Sequence, residues 1–206
     1  MQFSSDKTGF PLISSNGQAW SLLPVTKVQF ERYLSDAGGL SSSWYQQILS
    51  LSPRCSFRDF SNKTREGLFM TAVTFEEANQ FAVWLNPSAR LPRSLEWQGF
   101  AKELKAVPFS KAVADRLLQS SLHVSAQTLV ARLISFVKPS TLADLALIRN
   151  GVIEWVESRP EPGGLGAPRQ SFFKNTYDPY HDVPLRHFRS ERSPYYGFRI
   201  LVDEEA

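Results

Sequence analysis

Helical periodicity in this 206-residue chain is confined to its middle, and that limits the folds open to it. Before Pro24 the pattern is of short strands, with Asn16-Gly17 as a hairpin signal between Leu12-Ile13 and Trp20-Ser21-Leu22. After Ser158 the helical signal stops. A turn-rich loop, Arg159 to Gly166, is followed by segments broken at Pro179, Pro184 and Pro194, before a closing strand expected over Phe198–Val202. Strands at both ends with helices between them predict an α+β domain, not a bundle or a doubly wound sheet.

Within the middle, Thr26 and Gln29 have the spacing of a capping box, as do Thr74 and Glu77. Gly38-Gly39 stops the first of these helices. A short amphipathic helix is expected near Trp44–Leu49, an irregular loop over 54–67, and a strand over Leu68–Val73. Ala78, Phe81, Ala82 and Leu85 fall on one face of the second capped helix, and Ser94 is expected to cap the next. Ser110 to Leu122 and Ser125 to Val137 are both periodic in the helical sense. A short helix from Thr141 and a strand over Val152–Val156 follow.

Composition narrows the function. With 42% hydrophobic and 13% aromatic residues the chain can bury a core. No apolar run has the length of a membrane span. Met1–Asp6 lacks the basic start and apolar stretch of a secretory signal, so a cytoplasmic protein is expected. The single cysteine, Cys55, excludes an intrachain disulfide and a cysteine-based zinc site. Phosphate-loop, serine-nucleophile and paired-carboxylate motifs are missing. Residues 158–199 hold seven Lys/Arg against four Asp/Glu, and the rest of the chain sixteen of each, so the whole excess of +3 lies in the C-terminal fifth. An excess this small argues against nucleic acid as the partner.

The most distinctive residues are Arg90-Leu91-Pro92 leading to Glu96-Trp97, then Gly151-Val152-Ile153-Glu154-Trp155, and near the end Gly197-Phe198-Arg199. Pro24-Val25-Thr26-Lys27-Val28-Gln29-Phe30 and Val73-Thr74-Phe75-Glu76-Glu77-Ala78 join them. In this order the motifs resemble the formylglycine-generating enzyme (sulfatase-modifying factor) family, over roughly residues 9–105 and 141–202. The resemblance implies a C-type-lectin-like mixed sheet with flanking helices, spanning 1–206 as one domain. Residues 106–138 then read as a helical insertion, a place where a second protein or another copy of the chain could dock. Physically, Trp97 and Trp155 would pin helix to sheet, and Arg90, Arg199, Glu96 and Glu154 are candidates for buried or half-buried ion pairs.

The family's copper site needs two C-terminal cysteine thiolates, and no cysteine follows Cys55. Formylglycine-generating activity is therefore not expected. Where the family often binds calcium, Asn150 and Glu154 remain as oxygen ligands, although Asn150-Gly151 inverts the family's Gly-Asn order. The expected function is a non-catalytic ligand-binding or protein-interaction module. Its contact residues are Tyr177, Tyr180, His181, Arg189, Arg192, Tyr195 and Tyr196, on a basic-aromatic surface of residues 171–196. Two alternatives use the same fold: a metal-dependent enzyme built on His181, His187 and Asp182, and a variable binding protein of a diversity-generating retroelement.

Overall fold

A computed structural model describes residues 1–54, 67–147, 152–157 and 192–203, with the strand backbones of 176–178 and 183–185. In chain order the strands are β1 (Gln2–Ser5), β2 (Pro11–Ser15), β3 (Gln18–Ser21), β4 (Ala89–Arg90), β5 (Ile153–Trp155), β6 (Thr176–Asp178), β7 (Val183–Leu185), β8 (Tyr196–Phe198) and β9 (Leu201–Asp203). The helices are α1 (Lys27–Asp36), α2 (Ser43–Leu51), α3 (Phe75–Leu85), α4 (Ser94–Ala106), α5 (Lys111–Ser120), α6 (Val124–Val137) and α7 (Leu142–Ala146). The architecture is α+β.

Local chemistry explains most boundaries. Asn16 and Gly17 have φ of 53° and 73°, so the two-residue loop between β2 and β3 twists with its strands. Both expected capping boxes are formed, at Thr26 for α1 and Thr74 for α3. Gly38, with φ of 72°, closes α1 in the left-handed region. At α4 the expected cap shifts by one residue. Arg93 is the N-cap and Ser94 lies inside the helix, because the Glu96 carboxylate reaches back to the Arg93 N–H at 2.7 Å.

The first sheet is antiparallel, in the order β1-β2-β3-β9-β4. Ile13, Trp20 and Leu201 lie opposite one another across three strands. They join one buried cluster with Trp97, Phe100, Leu117, Leu129 and Leu133 from α4, α5 and α6. The alternate residues Ile200, Val202 and Ala89 belong with Phe30, Phe81 and Ile48 from α1, α3 and α2. Helices therefore cover both faces of this sheet, as the two-residue period of strands requires. The α5–α6 pair is part of the first cluster, with Leu117, Leu129, Val130 and Leu133 fully buried.

Two strand expectations fail. Leu68–Val73 forms no ladder. It is held by single contacts, Lys27 N–H to Leu68 C=O, Met70 N–H to Val25 C=O and Ala72 N–H to Ser193 C=O, and Ala72 turns it at φ of 61°. The single closing strand is split in two. β8 runs parallel to β5 in the second sheet, of order β7-β6-β5-β8, whereas β9 crosses into the first sheet between β3 and β4. Arg199 and Ile200 are the hinge between the two sheets, and their burial is what a sequence pattern of alternation could not show.

Candidate functional site

At that hinge the motif residues meet. The Arg199 guanidinium is 1% exposed and binds Glu154 from two sides, Nη2 to Oε1 at 2.9 Å and Nε to Oε2 at 3.2 Å. Its remaining donors reach the carbonyls of Leu22 and Ala146, the latter at 3.0 Å. Trp97 Nε1 donates to Glu154 Oε2 at 2.8 Å, and its ring lies under the guanidinium, 4.7 Å from centroid to carbon. One ion pair thus joins β5, the β8–β9 hinge, α4, α7 and the end of β3. Two charges buried this deeply are tolerated only when their hydrogen bonds are met, as they are here. Both carboxylate oxygens of Glu154, expected as a calcium ligand, are engaged by Arg199 and Trp97. Asn150 lies outside the described residues.

The second motif pair, Arg90 and Glu96, is half-buried and bidentate at 2.8 Å on both arms. Arg90 also holds Asp203, with Nε to Oδ2 at 2.8 Å, which fastens β4 to the end of β9. Burial pushes the Glu96 carboxyl up, but Arg90, the Arg93 N–H and Arg93 together bring it below its usual range. Arg90 likewise lowers Asp203. These groups do structural work.

The surface expected to meet a partner is described at its C-terminal end and as backbone at β6 and β7. Arg192 is exposed, its side chain paired at the surface. Nη1 donates to Ala72 C=O at 2.9 Å and to Glu77 Oε2 at 2.7 Å, and Nη2 donates to Glu77 Oε1. The guanidinium stands 6.0 Å from the Trp44 ring centroid. The ion pair with Glu77 anchors the segment, and the residue stays at the surface. The expectation for Tyr196 is corrected, because it is 5% exposed and packs edge-on against Trp155 at 5.3 Å. It is the first residue of β8, and its side chain turns the opposite way from that of exposed Tyr195. Tyr195 does face outward, at 62% exposure. Tyr177 lies on β6, opposite Glu154 and Pro184 in the register. Tyr180, His181, Asp182, His187 and Arg189 lie outside the described residues, as does Cys55.

Gly197 permits the close approach that this packing needs. A Cβ there would come 2.8 Å from Met70 O and 3.0 Å from Val152 Cγ2.

The sequence reading missed Lys27, which is 1% exposed. Its ammonium donates to Ser52 Oγ at 2.9 Å, to Pro53 C=O at 2.9 Å and to Gly67 C=O at 3.0 Å, and Thr71 Oγ1 donates to Ser52 Oγ at 2.6 Å. Lys27 thereby ties together the two ends of the 54–66 segment. The only sequence signal was position: Lys27 opens α1 between Thr26 and Gln29, both buried. Among the described residues no group of three or more His, Cys, Asp and Glu side chains is placed to hold a metal ion. Among them, too, no helix is long and apolar enough to cross a membrane. No family model matches the chain, and no curated protein matches it.

Proposed function

We propose that this chain is a non-catalytic ligand-binding or protein-interaction module. It uses a scaffold like that of the sulfatase-modifying factors, with a C-type-lectin-like fold, and meets its partner through the surface of residues 171–196. The observation that carries this reading is the clamp at Arg192. A bidentate ion pair to Glu77 and a bond to Ala72 C=O hold the return of the C-terminal region against α3, and Tyr195 stands exposed beside it. A rigid aromatic next to a fixed anchor gives contact area at small entropic cost. The scaffold reading is supported by the motif residues themselves: Trp97, Glu154 and Arg199 are used as one buried network and not as a reactive cleft.

The test is affinity capture from the host's lysate by the full chain and by its Tyr195→Ala variant, with folding checked by circular dichroism. A partner retained by the wild type should be lost or strongly reduced, since a hot-spot aromatic is worth roughly 2 kcal/mol or more. Equal capture by the two proteins would remove the partner from this face. A chain that binds nothing in either form, yet carries metal after purification, would point to the enzyme alternative.

A further inference from the structure

Among the described residues the first sheet ends on one side at β1, and the register shows which of its backbone groups look away from the sheet. Leu22 N–H donates to Pro11 C=O, so Pro11 faces β3, and Asp6 N–H donates to Phe10 C=O, so Phe10 faces the other way. Alternation then turns Leu12 and Ser14 toward β1, where they lie opposite Ser4 and Gln2. Phe3 and Ser5 are the alternate residues, with N–H and C=O directed outward. Among the described residues none of these four groups has a hydrogen-bond partner.

A groove of about 480 Å³ follows this edge, lined by β1 from Phe3 to Ser5 and by Arg116, Gln119, Ser120 and Leu122. Arg116 stands at the end near Met1. It donates to Met1 C=O at 3.3 Å, and its guanidinium carbon lies 5.1 Å from the Phe3 ring centroid. No other lining residue is charged. Leu122, bonded through its N–H to Gly9 C=O, marks the other end and is 70% exposed.

We propose that this edge is a docking site for an extended acidic peptide, which adds itself to the sheet as a further strand. The unpaired N–H and C=O groups select an extended main chain, because alternate residues of a strand present such groups in register. The cation of Arg116 selects a carboxylate, and Leu122 an apolar side chain a few residues away along the strand. A second copy of this chain fits less well. Gln2–Ser5 offers no acid, and the nearby Asp6 carboxylate is taken by Thr8, Phe10 and Gln29.

The proposal rests on β1, Arg116 and Leu122 and is independent of the C-terminal surface. Its test is selection of a random-peptide phage library on the full chain, in parallel with the Arg116→Glu and Arg116→Gln variants, each checked for folding. Enriched peptides should carry Asp or Glu within an alternating apolar stretch. A synthetic copy should shift the Phe3 and Ser5 amide resonances. It should bind Arg116→Glu about tenfold more weakly, the size of one charge-assisted contact, and fail to bind when N-methylated along one edge. Equal enrichment on all three proteins, or tolerance of N-methylation, overturns the proposal. A concentration-dependent dimer with protected Phe3 and Ser5 amides would give the edge to a second copy and overturn it equally.

Discussion

As an acid in a Glu-Trp strand, Glu154 was both an ion-pair candidate and a candidate calcium ligand, and the fold forms the ion pair, with Arg199 and Trp97 buried against it. Glu154→Gln keeps the shape and an acceptor for Trp97 but leaves the Arg199 charge without its counterion. The expected loss is about 3–5 kcal/mol of unfolding free energy, measured by urea titration, since breaking a buried pair strands a charge. A loss under about 1 kcal/mol, typical of an exposed pair, would show that Arg199 is solvated. Outside the core, Arg192 was expected as a contact residue, and the fold adds an intrachain partner, Glu77, 115 positions away in sequence.

At the scale of elements, helix caps were the most legible features, because a capping box is complete within four consecutive residues. Thr26 and Thr74 both cap as their spacing requires, whereas the expected cap of α4 moves from Ser94 to Arg93. The cap of α6 is different. His123 accepts the Ser125 N–H at Nδ1, at 3.2 Å, which needs an unprotonated Nδ1. Partial burial, and then the nearby Arg32, lower its pKa below the ordinary 6.5. The sign follows from linkage: the unfolded chain takes up the proton first. The cap's contribution is therefore complete above the unfolded value and is lost as pH falls through the folded one. Thermal stability should decline over that acid range in the wild type. The decline should be shallower in His123→Asn, which caps without titrating near neutrality. Parallel pH profiles for the two proteins would mean that His123 is not the group responsible.

For the whole molecule, the α5–α6 pair is the decisive case. Periodicity announced two helices between 106 and 138 but said nothing about what their apolar faces would meet. In the fold those faces close over the first sheet, with Leu129 in the same cluster as Trp20 and Trp97. Leu129→Ala should cost about 2–5 kcal/mol and lower a single unfolding transition seen equally by far-UV and tryptophan signals. Two separated transitions, with only the helical one shifted, would show that the pair is a detachable addition.

The sequence by itself determined the α+β class, the capping boxes of α1 and α3, the β2–β3 hairpin and the residue types of the motif network, because each follows from periods and spacings a few residues long. Only the tertiary structure decided that the closing strand divides between two sheets at Arg199. The same holds for the pairing of Arg192 with Glu77 and for the burial of Lys27 with Ser52. In each case the deciding partner is distant in the chain, and the cost of burying a charge or turning a strand becomes definite only when that partner is in place.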